Sequence, residues 1–396
     1  MKHLLVLNPR DLLFLRDARP MGGTDAGLGA NWPRPDQLYH ALLSAFHLRW
    51  PDRQPWEGEV HTRREEREDI AFRFGALKTV GPFPVKGDSV FFPRPLDFGM
   101  KLVPCDGTDL PLPLKYAFLP LEKGKKILPR WVSAKTFARY FAGESDFDLP
   151  ESDSDLYGAD RNIGIGMDPV AGTTRDGAFY QAEYLRLRDG VSLVCEASCD
   201  MKLKRENRVL DAYDPAQTGG ERVEQVVLGG QQGICSLSVS DGGLPLPARP
   251  GNRPATRFVR WTLLAPSVFN AGWKPGWLDP EGRVMLPRPA AELERRPGES
   301  RDDWRKRRNA AAGTIGAKLV AARVDRPVAF SGWDLTLGPK PTVLAVPAGS
   351  CYVFECDSPS DAEALAGALD GVPRSDLLGS NGFGIGVCSF IEPPSA

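Results

Sequence analysis

Residues 2–8, KHLLVLN, followed after a polar loop by residues 36–46, DQLYHALLSAF, decide how the chain begins to fold. The run Leu4–Leu7 is short and continuously apolar, the pattern of a buried strand. Leu38, Leu42, Leu43 and Phe46 recur every three or four residues, which puts them on one helical face, and Asp36 stands ahead of them as an N-cap. A strand, a loop and a helix in this order open a ferredoxin-like (RRM-type) unit, and equally the start of many other α/β folds. Asn8-Pro9-Arg10-Asp11 breaks the apolar run and no cleavage pattern follows, so it reads as a first strand and not a signal peptide.

Outward from this opening, residues 51–69 are charge-dense and read as a solvated insertion, and residues 70–101 as short strand-like runs separated by turns, as at Val80-Gly81-Pro82-Phe83-Pro84. Residues 143–160 form an acidic loop with Pro and Ser. Strands are expected at Ala178–Leu187 and Ser192–Ala197, and a domain boundary where Asp214-Pro215 and Gly219-Gly220 cluster. Residues 288–308 read as an exposed basic loop entering a short helix. The C-terminus reads as strands Val343–Val346 and Ser350–Cys356, a helix Ser358–Leu369 capped by Asp361 or Ser358 and closed by Gly371, a glycine loop, and a strand Ile385–Ile391.

The composition is that of a globular chain with many turns: 396 residues, 42% hydrophobic, 41 glycines and 36 prolines. Fifty basic against 51 acidic residues give a formal charge of −1. Nucleic-acid binding would therefore rest on local patches or backbone amides, not on overall charge. No segment carries about 18 consecutive apolar residues, so no membrane span is expected. Seven scattered cysteines suggest reduced thiols in a cytoplasmic protein.

Several motifs have the residue types for RNA contact, and each has a structural reading beside it. In Asn8–Pro20, Arg16 and Arg19 can hold phosphates with Asp17 orienting a fork, or can pair internally to tie the loop down. Arg161, Asn162, Gly164 and Gly166 open a stretch that suits a hairpin whose tip carries Arg175; such a hairpin could wedge an apolar side chain between bases, or be an ordinary antiparallel hairpin. Trp273, Lys274 and Trp277 can stack bases and touch phosphate, or cover a core edge. Gly382, Phe383, Gly384 and Gly386 form a loop whose amides can cradle an anion, or a tight turn with a bulge. The clusters Lys123–Lys126, Lys202–Arg205 and Arg305–Arg308 can meet phosphates or be solvated faces. No motif for a nuclease, a zinc site or a nucleotide-binding loop is present, so neither cofactor nor metal is expected.

Taken in order, these segments resemble one family across nearly the whole chain. Asn8–Asp11 with Arg16-Asp17-Ala18-Arg19-Pro20, Trp32–Asp36, Arg161–Asp168 with Tyr180 and Arg186, Leu228–Gly233, Pro266–Pro275, Gly332–Ser350 and Gly382–Gly386 carry the resemblance. Gln231 stands where an acid is usual. The family is the crRNA 5′-handle-binding RAMP subunit of type III-B CRISPR (Cmr) effector complexes. The resemblance implies an α+β chain of two ferredoxin-like (βαββαβ) domains with large loop and hairpin insertions, residues 1–210 and 211–396. It implies a non-catalytic, cytoplasmic RNA-binding subunit in antiviral defence. Its partners would be the crRNA 5′ handle, the large polymerase-like Cas subunit and the backbone RAMP subunit.

Two other readings remain beside it. A RAMP-type endoribonuclease processing precursor crRNA would need a general acid and base, for which His40, His47 or His61 with a nearby Lys are the candidates. A β-rich sugar-binding or hydrolytic protein would use Trp273 and Trp277, but needs paired carboxylates that the sequence does not place.

Overall fold

The structure is a computed structural model that describes residues 1–18, 27–28, 32–49, 77–105, 111, 113–121, 128–144, 149–203, 208–211, 213–214, 222–247, 256–289, 294–334 and 338–393. Arg19, His61, the charged stretch 51–69, Lys123–Lys126, residues 145–148 of the acidic loop, Lys204-Arg205, Pro215 and Gly219-Gly220 lie outside the described residues.

The first sheet is built from β1 (His3–Pro9), β2 (Lys78–Lys86), β3 (Ser89–Pro93), β4 (Trp131–Ser133), β5 (Val191–Ser198), β6 (Gln225–Val227) and β7 (Ile234–Asp241), in the order β6-β7-β1-β5-β2-β3-β4. Every pairing in it is antiparallel. Alternation in β1 sends His3, Leu5 and Leu7 inward, where they meet the Leu38–Leu42–Phe46 face of α1 (Pro35–Arg49) in one core. β2 is one strand and not a series of short runs. It passes Gly81-Pro82 because its partner shifts register there, between Val194 and Glu196, so the proline's missing N–H costs no regular ladder bond.

The second sheet contains β8 (Phe258–Leu263), β9 (Ala317–Arg323), β10 (Cys351–Cys356) and β11 (Gly386–Ile391), in the order β9-β10-β8-β11, again antiparallel throughout. α4 (Pro359–Leu369) lays Ala362, Leu365, Ala366 and Leu369 on it. Ser358 caps that helix by accepting from the Asp361 amide at 3.1 Å, as the sequence suggests. α3 (Arg301–Ala312), between β8 and β9, is mostly exposed over its first seven residues.

The chain is thus mixed α+β, mostly antiparallel sheet with few helices. The first sheet does not end at residue 210: β6 and β7 come later in sequence and complete it beside β1. The reason is register. Leu237 lies opposite Leu7 in this pairing, and both turn into the same core.

A buried polar cluster joins the two sheets. Arg260 on β8 reaches Asp97, which follows β3, with Nη1–Oδ2 at 3.2 Å. The hydroxyl of Tyr140, on α2 (Ala134–Phe141), donates to Asp97 Oδ1 at 2.5 Å, and the Cys351 thiol lies 2.9 Å from the same oxygen. The Arg260 guanidinium also sits 3.8 Å from the centre of the Tyr140 ring. None of the seven cysteines forms a disulfide. Burial pushes the Cys235 thiol up to about 12, and it pushes Cys195 and Cys351 higher still, so all three remain protonated.

Candidate nucleic-acid interface

The motifs that are scattered in sequence meet at one end of the seam between the sheets. Leaving β1, the chain runs through Leu13-Phe14, which pair with Leu185 and Tyr184 of a long hairpin, Tyr157–Met167 with Thr174–Leu187. On its other side Phe14 bridges to Gly230, whose amide donates to the Phe14 carbonyl at 2.8 Å. A side chain at Gly229 would strike that carbonyl oxygen, and its φ of +82° suits glycine alone, so the turn can lie flat on Phe14.

This arrangement holds Arg16, half-buried, between the hairpin base and the start of α1. Its carbonyl accepts from Arg34 Nη1 at 2.8 Å. Arg34 makes a forked pair with Asp36, at 3.0 and 3.2 Å, and lies over the Phe330 ring at 5.0 Å. Arg34 therefore provides a fork of the kind expected at Arg16 and Asp17. His40, one turn further along α1, is within electrostatic reach of Asp36 and Lys340.

The hairpin projects from this base. Eleven residues in its first strand span ~35 Å at strand rise. Its tip is Asp168–Thr173, closed by Asp168, whose Oδ1 accepts from the amides of Val170 and Ala171 at 2.8 and 3.0 Å. Those bonds, with the Ala171 amide first, hold the Asp168 carboxyl below its ordinary value. Arg175 lies one residue into the second strand and not at the tip, because Asp168 closes the turn before it; its side chain is outside the described residues. The tip instead carries Val170, 95% exposed.

Along the first strand Ile163, Ile165 and Met167 are all exposed, and Phe179 stands opposite Ile165 on the same face. Asn162, Gly164 and Gly166 alternate onto the other face, where the two glycines leave it flat. Arg161 is exposed with Glu183 at 3.8 Å, and Asp160 pairs with Arg186 across the base; that bond lowers the Asp160 carboxyl.

The glycine loop is buried. Asn381 through Ser389 are all buried. Gly382, at φ +92°, would place a Cβ 2.7 Å from the Thr79 carbonyl of β2, so only glycine lets the second sheet approach the first there. Gly384 abuts Ser375, Gly386 abuts Trp261, and Phe383 packs on Phe330 with ring centroids 5.5 Å apart. The amides of Gly382, Phe383 and Gly384 already donate to Gly379, Leu378 and Pro266. The loop therefore clasps the seam and offers none of these three N–H groups to an anion.

Trp273 and Trp277 are set apart from this seam, against the second core. Trp277 stacks on Phe354 at 5.7 Å and donates its indole N–H to the Arg374 carbonyl. Lys274 donates to the Asp279 carbonyl of its own turn at 3.1 Å. This segment follows the core-edge reading.

Sequence reasoning did not single out Arg34 or Tyr184. The hydroxyl of Tyr184 donates to Gln231 Oε1 at 2.7 Å, so the glutamine keeps a polar role in the turn where an acid is usual. Only the pairing of strand and turn, invisible in sequence, brings them together. Among the described residues no group of three His, Cys, Asp or Glu side chains could hold a metal, and no helix is long and apolar enough to cross a membrane.

The antiparallel α+β architecture and the convergence of these motifs define a class that a family comparison makes explicit, a RAMP-like subunit of type III CRISPR systems. The model of the family described as CRISPR-associated protein (Cas_Cmr3) matches residues 5–387, and the chain belongs to that family. Among solved structures, a chain of the type III-B Cmr-beta complex bound to cognate target RNA and AMPPnP is similar at 14% identity, covering 89% of this chain and 86% of that one, with a TM-score of 0.44. A chain of the Csm3-Csm4 subcomplex of the type III-A interference complex is similar at 11% identity, covering 90% and 94%, with a TM-score of 0.42. A search of the curated proteins gave no match.

Proposed function

We propose that this chain is the non-catalytic subunit that grips the crRNA 5′ handle in a type III-B effector complex and joins the large polymerase-like subunit to the backbone RAMP subunits. The observation that carries this reading is the seam, where the loop of Arg16, the Arg161–Gly166 hairpin and the glycine clasp come together in a member of the Cas_Cmr3 family. Arg16, Arg161 and Arg175 would meet phosphates, with Arg19 following in the same loop. The apolar row Ile163, Ile165, Met167 and Phe179 would wedge against splayed bases, while Asn162 and the flat Gly164–Gly166 face let a bent strand lie close. Gly382, Phe383, Gly384 and Gly386 serve this surface by fixing the seam from beneath. Trp273 and Lys274, set against the second core, lie outside this surface.

Two ferredoxin-like units are part of the proposal. β1, α1, β2, β5 and β7 follow the order strand, helix, strand, strand, strand and lie as β7-β1-β5-β2, the 4-1-3-2 arrangement of a split βαβ unit. β8, β9, β10, α4 and β11 lie as β11-β8-β10-β9, the same arrangement. On this reading the units meet between residues 242 and 257.

The test is crosslinking of the assembled complex to crRNA, mapped by residue and nucleotide. Crosslinks between the 5′ handle and the Arg16 loop or the hairpin support the reading. Crosslinks spread along the guide, or equal handle protection in a complex lacking this chain, overturn it.

A further inference from the structure

The projecting hairpin is fastened to the first sheet along both flanks. Its second strand pairs with Leu13-Phe14 and then turns directly into β5, the Val191 amide donating to the Arg188 carbonyl at 3.0 Å. Its first strand has no strand on its outer side among the described residues, and it begins from the segment 149–155. That segment lies against β4, the last strand of the sheet, and two carboxylates hold it there. Asp153 accepts the Arg130 amide with both oxygens at 2.9 Å, and its Oδ1 accepts the Trp131 amide at 3.2 Å. Glu151 Oε1 accepts the Ser133 amide at 3.0 Å, the Ser133 hydroxyl at 2.7 Å and the hydroxyl of Thr136 in the first turn of α2. Water would satisfy the amides of an open sheet edge. A carboxylate does so with a bond roughly twice as strong, and it fixes the segment that carries it.

The hairpin side grips the same segment. Arg188 Nε donates to the Ser154 carbonyl at 3.0 Å, and Lys86 Nζ, at the end of β2, to the Asp155 carbonyl at 3.2 Å. Leu156 follows, fully buried, and its carbonyl accepts the Arg188 amide at 3.0 Å. Tyr157, the first hairpin residue, lies 5.7 Å from the Trp32 ring, which lies 5.0 Å from that of Trp131 on β4. The root of the hairpin is therefore tied to the sheet edge through Glu151 and Asp153. With ~35 Å of reach, a swing of about 10° at the root moves the tip by about 6 Å, more than the ~3.4 Å between stacked bases.

We propose that Glu151 and Asp153 are positioning residues: they set the angle at which the hairpin leaves the first sheet, and through it the place where Ile163, Ile165 and Met167 meet RNA. The consequence for RNA rests on the handle-binding function proposed above; the angle does not.

The first measurement needs no RNA. In full-length protein carrying Cys105→Ser, which removes the one cysteine that is not buried, spin labels at Val170→Cys on the tip and Ser44→Cys on α1 report the tip-to-sheet distance by double electron–electron resonance. The parent should give one narrow distribution, and Glu151→Ala/Asp153→Ala should widen it about twofold or more. Glu151→Gln/Asp153→Asn should stay near the parent. All but the Asp153 Oδ2 contact end on Oε1 and Oδ1, and an amide oxygen can take their place. Where the double alanine variant does not melt cooperatively, Asp153→Ala alone, which keeps the Glu151 bonds to α2, is read in the same way. In the assembled complex, crRNA crosslinks at the hairpin should fall severalfold in the alanine variant while those at the Arg16 loop persist. An unchanged distribution in the alanine variant, an amide variant as loose as the alanine one, or loss of crosslinks at the hairpin and the Arg16 loop alike overturns the proposal. An unaltered chain that crosslinks to the handle at neither place removes the handle-binding function instead, and the distance measurement still decides the angle.

Discussion

Replacing Asp97 by alanine tests what holds the two sheets together. The carboxylate is 3% exposed and takes three donors: Arg260 Nη1, the Tyr140 hydroxyl and the Cys351 thiol. Asp97→Ala strips Arg260, itself 12% exposed, of its only ion-pair partner among the described residues. Removing one member of a buried ion pair costs about 3–5 kcal/mol, because the remaining charge is stranded in a low-dielectric site. Arg260→Met should cost a similar amount by stranding Asp97. The double variant Asp97→Asn/Arg260→Met leaves no buried charge and an amide oxygen for Tyr140 and Cys351. Set against the single variants Asp97→Asn and Arg260→Met, it should cost no more than either, a coupling of at least ~3 kcal/mol. Urea unfolding followed by tryptophan fluorescence measures all of these, since Trp261 neighbours Arg260 on β8. Single variants within ~1 kcal/mol of the parent, or a double variant whose cost equals the sum of the singles, would refute the reasoning.

Four further outcomes are expected. Gly382→Ala should destabilise by about 2–4 kcal/mol, since a left-handed φ and a collision with the Thr79 carbonyl add together; thermal melting checks it. Trp277→Ala should cost about 3–5 kcal/mol in the same assay, the loss of a packed aromatic, and should leave the crosslinking pattern at the hairpin unchanged. Ile163→Ser with Ile165→Ser should keep stability within about 0.5 kcal/mol, because both side chains are exposed, yet should reduce handle crosslinking severalfold; unchanged crosslinking would remove the wedge from the proposed function. Finally, the hydrogen bond from Arg307, with the Arg296 amide behind it, brings the Glu299 carboxyl down to about 2. A depressed carboxylate supports the fold above its ordinary value of 4.5 and loses that support as pH falls toward 2. The Glu299–Arg307 pair, 2.8 Å apart, should therefore open in that window, and a carboxyl carbon titration by NMR should place the Glu299 midpoint near 2 and not near 4.5.

What the sequence alone determined is local. The apolar run of β1, the three-and-four spacing of α1, the Ser358 cap and the strands around Cys351–Cys356 follow from periodicity and capping, which act within a few residues. The ordered motifs likewise sufficed for the family, whose model spans residues 5–387. Tertiary structure decided the rest. β6 and β7 belong to the first sheet because Leu237 meets Leu7 across more than two hundred residues of chain, a pairing that no local signal carries. The glycines of residues 382–386 look the same in sequence whether they face an anion or another strand. Burial against Thr79, Ser375 and Trp261 selects the second. Tryptophans 273 and 277 are equally ambiguous until the second core is formed around them. His3 and Tyr213 lie 210 positions apart, and only the fold brings their rings within 5.1 Å. Close packing and the pairing of buried polar atoms depend on which segments meet in space, and that is settled by the global minimum of the chain and not by any short window of it.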